Sequence, residues 1–199
     1  MTQTVEFYFD VGSPAAYLAF KRLPAICEVA GAQLAFKPML LGGVFQATGN
    51  QSPMNIPAKG RYMVDDLERF ARRHGIAFRH NPFFPINTLT LMRMATGLQL
   101  REPARLLPYV EAVYRAIWAE GKDMNDPAMV AAVLQGAGFD PQAMLALAAE
   151  PEVKERLKAV TQEAVGRGVF GAPTCFVGGQ MYWGQDRLDF VQEALEAKS

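Results

Sequence analysis

Cysteine is scarce in this 199-residue chain. Its two cysteines, Cys27 and Cys175, lie far apart and form neither a Cys-x-x-Cys pair nor a metal-ligand spacing. That speaks against a dithiol redox centre and a thiolate metal site, and both are expected as buried free thiols. The two histidines, His74 and His80, fall at a helix end and in a connector, without a partner at ligand spacing, and are expected at the surface. Net charge is absent too: 20 Lys and Arg against 20 Asp and Glu give a formal charge of zero. A nucleic-acid or other polyanion partner would leave a basic excess. No block of like charge, low-complexity tract or internal repeat is evident. No apolar run approaches the roughly 20 residues of a membrane span. The opening Met1-Thr2-Gln3-Thr4 has neither a basic n-region nor a cleavage site. These absences predict a cytoplasmic protein with no membrane partner.

What is present is an ordinary soluble composition, 50% hydrophobic and 20% charged, long enough to bury a substantial core in one or two domains. The stretch from Val5 to Leu18 organises the rest. Val5-Glu6-Phe7-Tyr8-Phe9 reads as a buried strand. The pattern breaks at Asp10-Val11-Gly12 and restarts as a helix from Pro14 to about Ala30, with Ser13 as N-cap, Pro14 at the first helical position and Gly31 closing it. Pro24 inside that helix allows a kink. Gln33–Pro38 predicts a second strand, completing a right-handed βαβ unit. Leu41–Pro53 reads as a Gly-rich loop with a hydrophobic middle. Helical patterns follow from Pro57 to about His74, at 88–99, 102–120 and 127–137, and at 141–167 with a break near Glu150-Pro151; Asp126 and Asp140 are expected caps. The end returns to strand: Thr174–Val177, a Gly178-Gly179 turn, and Gln180–Trp183. Asp186 is then expected to cap a last helix with Leu188, Phe190, Val191 and Leu195 inward. The expected fold class is α/β: residues 1–44 and 168–199 form one domain and 45–167 an inserted helical one.

A polar residue between a central strand and a helix N-terminus sits where open α/β sheets place their chemistry. The unpaired N–H groups and dipole there favour an anion. Ser13 therefore reads as a cap, as an anion-facing hydroxyl, or as both. A thiol exchanger would need two cysteines at this helix start, and the tetrad is Ser13-Pro14-Ala15-Ala16.

The element order, together with Phe7-Tyr8-Phe9-Asp10, Ser13-Pro14, Tyr17-Leu18, Pro57-Ala58-Lys59, Tyr62, Asp66-Leu67, Phe84-Pro85-Ile86-Asn87, Val169–Thr174 and Trp183–Leu188, resembles a thioredoxin-like family. That family holds 2-hydroxychromene-2-carboxylate isomerases, kappa-class glutathione transferases and DsbA-type disulfide oxidoreductases. The matches span nearly the whole chain and favour the isomerase branch. The resemblance implies a thioredoxin-like fold with a large all-helical insertion, and a cis Pro173 facing the first helix. It implies glutathione as cofactor, with Ser13 as the catalytic hydroxyl. Ala172, Pro173, Trp183, Gln185, Asp186, Lys59 and Asn55 are the implied glutathione contacts. Phe45, Phe84 and Asn87 would meet a small aromatic or electrophilic substrate, and a homodimer is expected. Where naphthalene-pathway members carry a lysine after the second strand, this chain has Phe45.

Overall fold

The computed structural model describes residues 2–197. The Val5–Phe9 run forms β1 (Thr4–Phe9) at the centre of a four-stranded sheet. It leads into α1 (Pro14–Val29) and β2 (Gln33–Pro38), which lies parallel to β1 with Phe7 opposite Phe36. The chain then passes through helices α2 (Leu41–Thr48), α3 (Pro57–Arg73), α4 (Leu89–Arg101), α5 (Leu106–Trp118), α6 (Pro127–Gly136), α7 (Pro141–Ala149) and α8 (Pro151–Gly166). It returns as β3 (Thr174–Val177) and β4 (Gln180–Trp183) and ends in α9 (Leu188–Glu196). Both returning strands are antiparallel, giving the order β2-β1-β3-β4. Gly178 and Gly179 supply the two positive φ angles, 55° and 85°, that a two-residue hairpin turn needs.

Strand alternation divides the core. Val5, Phe7 and Phe9, with Cys175 and Val177, face the large cluster formed with α1, α4, α5 and α9. Tyr8 and Phe176 face a smaller one, closed by Val44, Val160, Ala164 and Val169. The helical middle of the chain shares the first core with the sheet: Trp118, Tyr109 and Tyr114 are fully buried in it. No helix of the described residues is long and apolar enough to cross a membrane.

Three local expectations change. Leu41–Thr48 is a helix and not a loop. Leu40, at its N-cap, offers no side-chain bond, but Asp10, distant in sequence, accepts from the Leu41 N–H at 2.8 Å. Phe190 is 52% exposed, because the inward stripe of α9 is Leu188, Val191 and Leu195 and position 190 falls off that period. Asp186 does not cap α9. It sits in a 3-10 turn, Gln185–Arg187, and pairs with Arg187 at 2.6 Å. Helix α1 runs unbroken through Pro24, whereas Asp126 and Asp140 cap α6 and α7 as expected. Cys27 and Cys175 are buried and free. His74 is exposed, and His80 packs half-buried, its ring 6.1 Å from that of Phe84.

One charged network braces the sheet beside the small core. Arg167 donates to Glu6 and to the Tyr8 hydroxyl, both at 2.8 Å, and its guanidinium lies 3.7 Å from the Phe176 ring centroid. The Tyr8 hydroxyl in turn donates to Glu163. The Arg167 hydrogen bond holds the Glu6 carboxyl below the usual carboxylate range. Stability from this pair is therefore present above the ordinary carboxylate pKa and lost as pH falls through the lowered folded value. Arg167→Met is expected to lower Tm by about 2–6 °C at neutral pH. That difference should shrink as pH falls through the lowered folded value of Glu6, until the carboxyl is protonated in both proteins; thermal melts across pH measure it.

Candidate active site

Ser13 begins α1 with extended backbone angles, φ −94° and ψ 116°. Its Oγ accepts from the Ala16 N–H at 3.1 Å and donates to the Ala172 carbonyl at 2.9 Å. The first bond caps the helix. The second crosses to the segment before β3, where the Ala172–Pro173 bond is cis. A second cis bond, Phe84–Pro85, which the sequence reading did not include, lies in the connector before α4. Ser13 is 4% exposed, so its hydroxyl forms the floor of a recess and not a surface group.

That recess is a cleft of about 490 Å³. Its floor is the turn from Asp10 to Ala15. The walls are Phe45 of α2, Leu67 of α3, Phe84 to Ile86 of the connector, and Trp183 at the end of β4. Apolar walls around a few convergent polar groups are the usual build of a small-molecule site. The polar groups here include Ser13, the Ala172 backbone, Asp66, Gln185 and Asp186. Gln185 is 5% exposed and its side-chain oxygen has no partner among the described residues. A buried acceptor left unpaired is costly unless a ligand donor reaches it. Arg22 of α1 holds the Gln185 carbonyl at 2.8 Å and so fixes that corner of the cleft against the first helix.

Of the residues singled out from sequence, Ser13, Phe45, Phe84, Ala172, Pro173, Trp183, Gln185 and Asp186 converge on this cleft. Three do not line it. Asn55 is exposed in a 3-10 turn with its amide toward Gln51 at 3.4 Å. Lys59 is exposed on the first turn of α3, in a shallow depression beside Tyr62 and Met63. Asn87 is exposed, its N–H donating to Asn125 at 2.8 Å, and it lines a separate cavity of about 240 Å³ between α4, α6 and α7. Sequence reasoning quoted Asp10 and Asp66 among the matching residues without giving them a place in the site, and passed over Thr88. Asp10 carried a signal, a carboxylate closing an apolar strand.

Trp183 stands against Phe170, ring centroids 4.9 Å apart, and is 48% exposed. A side chain on Gly171 would come within 2.6 Å of the Trp183 Nε1. Gly171→Ala should therefore swing the indole off the cleft wall without unfolding the protein. A red-shifted tryptophan emission with an unchanged far-ultraviolet spectrum is the expected result.

Known proteins are similar to this chain over nearly its whole length. A 2-hydroxychromene-2-carboxylate isomerase of Sphingobium xenophagum is 32% identical over 197 residues, 98% of this chain and 99% of that protein. Glutathione S-transferase kappa 1 of Homo sapiens is 31% identical over 211 aligned positions, covering 100% of this chain and 93% of the relative. A solved structure of 2-hydroxychromene-2-carboxylate isomerase superposes with a TM-score of 0.83 at 32% identity, covering 98% of this chain and 95% of that one. The model of the DSBA-like thioredoxin domain matches residues 4–196. With the strand order, the Ser13 helix start and nearly every described residue inside that match, the chain belongs to the DSBA-like thioredoxin family.

Proposed function

We propose that this protein is a glutathione-dependent isomerase interconverting 2-hydroxychromene-2-carboxylate and trans-o-hydroxybenzylidenepyruvate. The observation that carries the reading is the Ser13 hydroxyl, a donor at the N-terminus of α1, 2.9 Å from the Ala172 carbonyl on the cleft floor. The tetrad Ser13-Pro14-Ala15-Ala16 holds no sulfur, so the nucleophilic thiol must come from outside the chain. The full-length similarity to proteins named as this isomerase, and to kappa-class glutathione transferases, supports the same conclusion.

The residues present fit glutathione. The unpaired Gln185 oxygen and the Asp186 carboxylate both suit the γ-glutamyl ammonium. Ala172 offers main-chain groups to an extended peptide. Exposed beyond the cleft wall, Asn55 and Lys59 are available to parts of the ligand that pass the rim. Bound glutathione supplies a thiol nucleophile that adds reversibly to a conjugated double bond and so allows rotation before it leaves. The chain's own part is electrostatic. Ser13 turns its O–H from Ala172 toward the sulfur, and the positive end of α1 favours the thiolate. Phe45 and Phe84 hold the aromatic substrate and exclude water.

Calorimetry with glutathione, followed by a spectrophotometric isomerisation assay on the chromene carboxylate, tests this reading. Absence of glutathione affinity would sink it. The kappa-class relative favours a second reading, conjugation without reversal. Activity on a chlorodinitrobenzene with none on the chromene carboxylate would select it.

A further inference from the structure

We propose that Asp10 is a positioning residue for the thiol reaction: its carboxylate ties the Ser13 turn, the first turn of α2 and the start of α4 together, and so sets where the aromatic walls stand relative to the Ser13 hydroxyl. This rests on the glutathione reading above. Asp10 is 1% exposed at the end of β1. Its Oδ1 accepts from the Gly12 N–H at 2.9 Å. Its Oδ2 accepts from the Leu41 N–H at 2.8 Å and from the Thr88 hydroxyl at 3.1 Å. Each donor roots a different side of the cleft. Gly12 precedes Ser13, Leu41 is one helical turn from Phe45, and Thr88 follows Phe84-Pro85-Ile86.

Only an acceptor-only group satisfies three such donors at once. Asparagine would turn an N–H against an N–H, and a protonated carboxyl could no longer accept from Thr88 but would have to donate its O–H to the Thr88 hydroxyl, reversing that bond. An apolar replacement would orphan all three. The neighbours offer no countercharge in this set. Gly12 and Ser13 face Asp10 from the turn, Leu41 from α2 and Thr88 from α4. From α5, Tyr114 donates to the Asp10 carbonyl at 3.3 Å, and burial pushes its own ionisation far up. Asp66 and Asp186 line the same cleft. Burial raises the Asp10 carboxyl above the ordinary range, against the three hydrogen bonds that lower it.

The sign of the linkage separates positioning from mere support. A folded pKa raised above the unfolded one means that this group's contribution to stability is full at low pH and is lost as pH rises through the folded value. Activity has the opposite dependence, because only the ionised form accepts all three bonds. One proton thus favours the fold and disfavours turnover.

The test uses Asp10→Asn, Thr88→Val and the conservative Thr88→Ser, with the chromene carboxylate as electrophile. Turnover is followed from about pH 5 to about pH 9, with glutathione calorimetry and melting curves. Asp10→Asn is expected to lower kcat/KM for the electrophile by about 30-fold or more, since misplacement by an ångström costs about that or more. Glutathione Kd, set at Ala172, Gln185 and Asp186, should change by less than about 3-fold. The Asp10 part of the acid limb should disappear, leaving only the limb of the bound thiol, which ultraviolet titration of glutathione locates independently. The melting temperature of Asp10→Asn relative to the parent should improve as pH rises. Thr88→Val should lower kcat/KM by about 3- to 10-fold and move the acid limb, and Thr88→Ser should restore both. If Asp10→Asn does not fold, the Thr88 pair decides. Glutathione affinity falling in step with turnover would overturn the proposal. So would an Asp10→Asn profile identical in shape to the parent's, an acid limb unmoved in Thr88→Val, or parental turnover in either variant. A parent with no glutathione-dependent turnover would instead remove the preceding reading, and this one with it.

Discussion

Replacing Ser13 by alanine is expected to lower kcat/KM by about 10²- to 10³-fold, the usual loss when one preorganised donor to a developing anion is removed. The fold should survive. Ser13 makes one capping bond, from Ala16, and one bond to Ala172. Loss of a cap costs about 0.5–2 kcal/mol, against a total stability of about 5–15 kcal/mol. The catalytic loss is larger because the hydroxyl is 4% exposed, where neighbouring dipoles act without competing water. Ultraviolet titration of bound glutathione reads the effect directly: the thiol pKa should rise in Ser13→Ala. An unchanged titration would remove Ser13 from the chemistry and leave it as a helix cap.

The largest expected effect on stability comes from Trp118→Ala. Trp118 is fully buried, stacked on Phe78 with centroids 6.2 Å apart and tilted against Phe84 at 6.0 Å. Its Nε1 donates to the Val11 carbonyl at 2.8 Å. Truncation leaves a cavity worth about 3–5 kcal/mol and strands that carbonyl. For a chain of this size each kcal/mol moves Tm by about 2–4 °C, so a fall of roughly 6–20 °C is expected by calorimetry or circular dichroism. Trp118→Phe keeps most of the ring and loses the N–H, and should cost about 1–3 kcal/mol. Comparison of the two variants separates packing from the hydrogen bond. Equal losses in both would show that the hydrogen bond dominates.

The parts of this fold that were legible in the sequence are those with local causes. Ser13-Pro14 announces a helix start, Gly178-Gly179 a hairpin, and Asp126-Pro127 and Asp140-Pro141 two capped helices, and each is where the pattern put it. Helix α2 was not legible. Gly42 and Gly43 weaken any helical signal, and its first N–H is satisfied by Asp10 from the far side of β2. The cleft divides the same way. Ser13, Ala172, Pro173, Trp183, Gln185 and Asp186 flank the strands, where the sheet fixes their relation. In the helical middle, where orientation follows from packing between distant helices, Phe45 and Phe84 reach the cleft and Asn55, Lys59 and Asn87 do not. A turn's rotation there decides whether a side chain meets the cleft, and sequence spacing does not record it.

The two cysteines have a further consequence. Reagents that an activated thiol attacks are alkylating agents toward any thiolate they meet. Cys27 and Cys175 are 3% and 1% exposed, and burial pushes the Cys27 thiol up to about 11 and that of Cys175 higher still. At neutral pH both are held as the unreactive thiol. The chain's own sulfur is thereby kept out of competition with an incoming thiol, and the protein is guarded against self-inactivation by the compounds it would handle.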